Sequence, residues 1–383
     1  MKEGEFRALL PIVGDRIGGS QLSALALAEQ IRAHGRFSPL LVLHRDGPVA
    51  DLLRSRSLSF EFLPVPALLG EGGYRPSNLL RHIRAVVRIA RFLRRWKVAI
   101  VHTNDLRTNL SWALPARLAG SRQIWHQRTF FPQSRLAHLV SRWAARIVCV
   151  SEYCKSTLPS DRRDRAVVVF NPIPVPASIL DRPAARAALC RELGVGPATR
   201  IILFVANLQP QKRPDIFIRV AQKVREVSNF PIIFVLLGED KKGMQSKLEL
   251  LAEDLKVSDI VFFGGFRYPV DHWMAGADLF LAPQVCEGFG RTLVEAMHAQ
   301  APVVAARSGG HPEIVIDPNV GVLVPADDAG AMAQAVTQLL SDPNRASLIA
   351  KRASAVVATK FSAEAHAEAI INVYESCMDL ANR

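Results

Sequence analysis

Two glutamates, Glu287 and Glu295, stand eight residues apart in the stretch EGFGRTLVEAM, residues 287–297. Gly288, Phe289 and Gly290 lie between them, ahead of a run that favours helix. Glycines without side chains let a backbone approach a ligand closely. The start of a helix offers free N–H groups and a partial positive charge, which suits a phosphate. Carboxylates repel phosphate, so Glu287 and Glu295 must face neutral hydroxyls instead. A phosphate at the helix mouth with hydroxyls on either side describes a nucleotide sugar. Spacing alone favours plainer roles: a helix-capping acid for Glu287 and a solvated helical residue for Glu295.

The elements that must hold these residues can be read from the pattern around them. Open α/β sheets bind ligands at the carboxyl ends of their strands. The apolar run DLFLAP (278–283) ends just before Glu287 and places it on such an edge. In the first half, β-branched and apolar runs at 6–13, 39–44, 98–103, 123–127, 146–150 and 166–170 alternate with amphipathic stretches. A second series follows at 200–207, 231–238, 259–265, 278–283 and 302–306. This alternation predicts parallel sheets with helices on both faces. NPIPVPA (171–177) carries three prolines, which neither a helix nor a central strand tolerates, and marks the boundary. The expected organisation is an α/β chain of two doubly wound domains, 1–175 and 176–360, with a closing amphipathic helix at 361–383. Ser362 is its expected N-cap, with Glu364 in the first turn.

Composition narrows the class. The chain has 383 residues and is 49% hydrophobic and 22% charged, as soluble globular proteins are. No apolar run approaches the ~18 residues of a membrane span. The start shows no basic region followed by an apolar core and a cleavage site, so cytoplasmic residence is expected. The five cysteines, Cys149, Cys154, Cys190, Cys286 and Cys377, form no paired motif. Neither a disulfide framework nor a zinc site is indicated.

The net charge of +13 is uneven: residues 1–175 carry 27 Lys and Arg against 12 Asp and Glu, a balance of +15, and the remainder carries −2. The basic half is expected to meet an anionic partner. Arg81, Arg84, Arg88, Arg91 and Arg95 fall on one helical face at steps of 3, 4, 3 and 4. Val86, Val87, Ala90 and Leu93 fall largely away from that face. A solvated basic crossover helix is the first reading, and contact with anionic lipid headgroups the sharper one. Phe92 and Trp96 alone accompany these arginines and make no series of aromatic platforms interleaved with them, so nucleic acid is not expected as a partner.

CEGFGRTLVEAMHAQAPVVAARSGGHPEIV (286–315) resembles the donor-binding signature of glycosyltransferase family 4, with its two glutamates separated by seven residues. VANLQPQKRPD (205–215), GGHPEIV (309–315), GVLVPADDAGAMAQAVTQLLSD (321–342) and the FS pair at 361–362 also resemble family segments, so that the likeness covers nearly all of 147–383. The resemblance implies the GT-B architecture, two Rossmann-like domains facing a cleft, with the C-terminal helix crossing back onto the first domain. It implies a retaining, metal-independent transfer of a sugar from a UDP- or GDP-sugar, with no further cofactor and no metal ligands.

The same resemblance implies roles. Glu287 holds donor-sugar hydroxyls, Glu295 holds the ribose, and Lys212 with the backbone at Phe289–Arg291 holds the diphosphate; Gly288, Gly290 and Thr292 complete that seat. Asn207 stands where the family commonly has arginine, which puts one phosphate contact in question; Arg213 and Arg291 are the candidates to replace it. In the first half, PIVGDRIGGSQLSALALAEQ (11–30) places Gly19 near the donor, with Gln21 where glutamate is usual. His126, in WHQRTF, matches the family histidine beside the donor sugar, and the implied catalytic set is His126, Lys212 and Glu287. Arg16, His102, Asn104 and Arg128 are the acceptor-side candidates, while Ser151 and Glu152 read as structural. The basic charge and the expected cytoplasmic residence, not the resemblance, suggest a glycan or lipid-linked acceptor in cell-envelope polysaccharide or lipopolysaccharide assembly, with the enzyme peripheral to the inner face of the membrane. A nucleotide-sugar epimerase of the same fold and a non-catalytic sugar-binding protein remain as alternatives.

Overall fold

A computed structural model describes residues 6–65, 68–69, 79–173, 180–241 and 243–379. The chain divides into two compact units: Met1–Pro174 with Ala363–Arg383, and Val175–Ser362. Most of the proline-rich segment expected at the boundary, from residue 174 onward, lies outside the described residues, as do the last four residues of the expected closing helix.

The first unit holds a seven-stranded sheet built from β1 (Phe6–Ile12), β2 (Phe37–Leu43), β3 (Glu61–Phe62), β4 (Val98–Thr103), β5 (Arg122–Gln127), β6 (Arg146–Cys149) and β7 (Ala166–Val168). Their order is β3-β2-β1-β4-β5-β6-β7, with every pairing parallel. The strand order therefore reverses between β1 and β4. The helix Ala363–Asp379 belongs to this unit. Its buried face, including Ala367, Ile370, Ile371 and Tyr374, joins one core with Leu25, Leu27, Phe37 and Leu43. Tyr374 meets Phe37 edge-on, with ring centroids 5.2 Å apart.

The second unit holds β8 (Arg200–Val205), β9 (Ile232–Leu237), β10 (Val261–Gly265), β11 (Leu279–Ala282), β12 (Val303–Ala306) and β13 (Val322–Val324). The order is β10-β9-β8-β11-β12-β13, again wholly parallel. Here the reversal falls between β8 and β11. Every residue of β9, IIFVLL, is buried, as a strand covered by helices on both faces requires. Two strands escaped the sequence reading. β3 and β13 have two and three residues and lie at sheet edges, too short to show an apolar period.

The closing helix packs as a core element, so truncating its apolar face should cost as much as truncating any interior position. Ile370→Ala is expected to lower stability by about 2–5 kcal/mol, read from denaturant unfolding of the first unit's signal. A loss below the surface-mutation range would contradict this packing.

Candidate functional site

In the second unit the reversal of strand order opens a crevice between β8 and β11, where such sheets place ligands. The segment leaving β8 passes Ala206 and the exposed Asn207, then forms a short turn at Pro210–Lys212. The segment leaving β11 runs through Gln284 and Glu287 to the helix Arg291–His298. A backbone bond from Val285 N to Gln211 O, 3.0 Å, ties the two together. The Lys212 ammonium pairs directly with the Glu287 carboxylate, and both side chains remain about one-quarter exposed. The expected phosphate ligand and the expected hydroxyl ligand thus neutralise each other.

The helix at 291 starts from Gly290, whose φ of +106° suits glycine, and no side chain caps it. Its first N–H groups lack the usual hydroxyl or carboxylate partner. Gly288, Phe289 and Gly290 are buried, while Arg291 and Thr292 are half-buried. A second glycine pair shapes this turn from the far side. Gly310 N donates to Glu287 O at 2.8 Å, and a Cβ at Gly309 would collide with the Glu287 backbone. Cys286 N is held by Ser308 Oγ at 3.0 Å. The buried His311 ring lies against Gly290 and bonds through Nδ1 to Ala306 O at 3.0 Å. Burial lowers its pKa, with the nearby Glu287 acting in the opposite sense.

Glu295 sits in a different field. Burial raises its carboxyl above the usual range; the Arg291 guanidinium, 3.5 Å away, pulls it down and Asp271 pushes it further up. Arg213, one candidate to replace the missing arginine at 207, is committed to Asp215 at 3.3 Å and Asp327 at 3.0 Å. Arg291, the other, is bound to Glu295.

In the first unit, Gly19 opens the helix Gly19–His34 after an extended Gly18, with no side-chain cap. Gln21 is buried and accepts from Ser20 Oγ at 2.9 Å. Arg16 is exposed on the loop before this helix. Across the β1/β4 reversal, Arg107 donates both η nitrogens to Asp15, at 2.6 and 2.9 Å. That hydrogen bond is the main reason the Asp15 carboxyl is held below its usual range. Neither residue was singled out from sequence, because their pairing depends on two strand ends meeting.

His102, at the end of β4, and His126, in β5, are fully buried. His102 Nδ1 lies 2.7 Å from the Tyr374 hydroxyl and its Nε2 3.0 Å from His126 Nδ1. Both ring nitrogens of His102, expected above on the acceptor side, are therefore engaged within the first unit. Asn104 is buried too; its Oδ1 accepts from Arg128 Nη2 at 2.6 Å. Arg128 also bonds Asn171. His366, from the closing helix, stacks near His126 and bonds through Nδ1 to Phe170 O at 2.7 Å. Burial pushes its pKa down to about 3. Tyr374 and His366 were missed from sequence, since nothing in an amphipathic helix separates a core tyrosine from one that bonds a histidine, and Asn171 reads in sequence only as the start of the proline-rich boundary. Ser151 caps the helix Glu152–Ser156, its structural role.

The basic helix spans Leu79–Arg95. Its buried face is Ala85, Ile89, Ala90 and Leu93, and the five arginines are exposed on the face expected for them. Val87 points outward and, with Leu80 and Ile83, makes an exposed apolar strip beside Arg84, Arg88 and Arg91. Among the described residues, no helix is long and apolar enough to cross a membrane, and no three His, Cys, Asp or Glu side chains are grouped to hold a metal ion.

Two family models match the chain. The model for glycosyl transferases group 1 matches residues 188–356, and that for Glycosyltransferase Family 4 matches residues 17–175. The chain is 33% identical over 209 residues to D-inositol 3-phosphate glycosyltransferase 2 of Catenulispora acidiphila, covering 52% of this chain and 48% of that protein. It is 31% identical over 292 residues to the D-inositol 3-phosphate glycosyltransferase of Mycolicibacterium smegmatis, covering 74% and 63%. The chain thus spans about half the length of the first of these relatives and under two thirds of the second. Among solved structures, Anabaena Alr3699/HepE in complex with UDP matches with a TM-score of 0.80 at 21% identity, over 97% of this chain and 100% of that one. The same protein has been crystallised with UDP-glucose. The likeness establishes a shared GT-B fold.

Glu295 gives a direct check on the site's electrostatics. A carboxyl with a raised folded pKa favours the folded state when protonated. That contribution is present below about pH 4.3 and lost as pH rises through the raised folded value. Glu295→Gln should therefore match wild type in melting temperature at low pH and equal or exceed it above that window. A variant clearly less stable at neutral pH would contradict the direction of the shift.

Proposed function

The chain belongs to glycosyltransferase family 4, the group 1 glycosyl transferases, and from that premise we propose that it moves a hexose-type sugar from a nucleotide-diphosphate donor to a glycan or lipid-linked acceptor. The observation that carries this reading is the Lys212–Glu287 pair at the β8/β11 reversal, beside an uncapped helix start. A diphosphate competes with Glu287 for Lys212. Once Lys212 turns to phosphate, Glu287 is released as an acceptor for sugar hydroxyls. Glu295, one helical turn further in, is assigned to the ribose diol, and Gly288, Phe289, Gly290, Arg291 and Thr292 to the diphosphate. Asn207 can offer at most a neutral contact there. From the first unit, Gly19 and His126 are assigned to the donor, and Arg16 and Arg128 to the acceptor.

In the transfer, the bond between the anomeric carbon and the diphosphate oxygen breaks and the acceptor oxygen bonds that carbon. We read attack as coming from the face the leaving group departs, with retention, and the acceptor proton as passing to a phosphate oxygen. Lys212 and the helix start stabilise the growing charge on the diphosphate, the kind of fixed electrostatic help that dominates many enzymes. Because protein groups supply that positive charge, we read the reaction as metal-independent. The names of the curated relatives bring an inositol phosphate into the range of acceptors to be tried. Cell-envelope polysaccharide or lipopolysaccharide assembly, in the cytoplasm at the inner face of the membrane, is the setting this chemistry suits.

The arginine face and apolar strip of the helix Leu79–Arg95 support contact with an anionic membrane surface. Exposed Leu80, Ile83 and Val87 can enter the headgroup layer while Arg84, Arg88 and Arg91 meet lipid phosphates.

Two measurements test these readings. In a thermal-shift screen of UDP- and GDP-sugars, a donor at 100 times its dissociation constant should add about 2.7 kcal/mol of stability. The shift should persist in EDTA and vanish in Lys212→Ala, whose transfer rate should also fall by about 10²–10³. No response to any donor would end the reading. For the membrane surface, Arg84, Arg88 and Arg91 changed together to alanine should weaken binding to phosphatidylserine vesicles by about 100-fold, at roughly 1 kcal/mol per residue. Equal binding of wild type to neutral and anionic vesicles would overturn it.

A further inference from the structure

Three buried side chains on three separate elements form a line of hydrogen bonds: the Tyr374 hydroxyl, His102 and His126. The direction of that line follows from counting donors and acceptors. Arg128 Nη2 stands 3.4 Å from His126 Nδ1 and can only donate, so Nδ1 presents a lone pair. His102 Nε2 must then carry the proton in the 3.0 Å contact with the same atom. A neutral imidazole has one proton, so His102 Nδ1 accepts from the Tyr374 hydroxyl at 2.7 Å. Burial, followed by the Arg128 charge, drives the pKa of both histidines well down, consistent with neutral rings. The opposite direction would set a second N–H against the Arg128 guanidinium and leave the buried tyrosine proton with no acceptor.

This assignment leaves one proton on His126 Nε2. That atom is buried and has no hydrogen-bond partner among the described residues. A buried N–H without an acceptor costs about 1–3 kcal/mol, and such a group in a native fold calls for a reason. We propose that Tyr374 and His102, acting together with the Arg128 guanidinium, are positioning residues that lock His126 in its Nε2–H form, so that it offers a fixed hydrogen-bond donor to an oxygen of the bound sugar nucleotide. The tautomer assignment stands on the first unit's own hydrogen bonds. Only its use toward the sugar rests on the function proposed above.

The two parts are tested separately. Long-range ¹H–¹⁵N spectra of the full chain labelled at histidine, with His126→Gln to assign the signal, report which nitrogen of His126 is protonated. The expected result is protonated Nε2 and bare Nδ1 in wild type at neutral pH. Tyr374→Phe, which removes only the hydroxyl, should let His126 populate both tautomers, with an unchanged circular dichroism spectrum. Protonated Nδ1 in wild type would overturn the proposal without any variant, and so would a tautomer indifferent to Tyr374→Phe. For the use of that proton, Tyr374→Phe should lower kcat/KM with UDP-glucose by about tenfold. A shifted tautomer with unchanged kcat/KM, on a donor that wild type does use, would reject the contact with the sugar. Failure of wild type to use any donor would instead remove the functional premise and leave the spectral result standing.

Discussion

The ion pair between Lys212 and Glu287 gathers the second unit's chemistry at one point. It exists because β8 and β11 are neighbours although two other strands separate them in the chain. In a parallel sheet all strands end on the same edge. Where their order reverses, the connecting segments leave in opposite directions and a crevice remains. Lys212 comes from one segment and Glu287 from the other, so neither could meet its partner within a single βα unit.

The same constraint shapes the first unit with different side chains. Its reversal lies between β1 and β4, and there Asp15 takes both η nitrogens of Arg107. Deeper in, the histidines of β4 and β5 meet the closing helix, which supplies both Tyr374 and His366. A low-dielectric interior makes each unmatched donor or acceptor costly. That cost is why the direction of the network is set by so few groups, with Arg128 as the fixed donor at one end.

The two glutamates of the opening motif also differ in environment. Glu287 is balanced by a lysine and lies on a turn pinned by Gly309 and Gly310. Glu295 is set into a helix, where burial raises its carboxyl, with its balancing arginine one turn away on the same helix. A group whose cation sits on another segment can exchange partners when a ligand arrives. A group whose cation is built into its own helix is held in place.

Much of this was legible in the sequence. The alternation of apolar runs and amphipathic stretches determined two α/β units, because period-two and period-3.6 patterns are local and survive without knowledge of neighbours. The EGFGRTLVEAM turn and the glycine pair at 309–310 were legible too, since glycine at a positive φ or against another backbone has few substitutes. The short edge strands β3 and β13 were not, nor was the outward turn of Val87, because burial depends on which side the neighbouring elements cover. Only the tertiary structure decided that Lys212 faces Glu287, that Arg213 is committed to aspartates, and that Tyr374 and His102 act on His126. Those pairings join residues distant along the chain. Spacing constrains contacts within one element, whereas the order of strands in the sheet decides which elements meet.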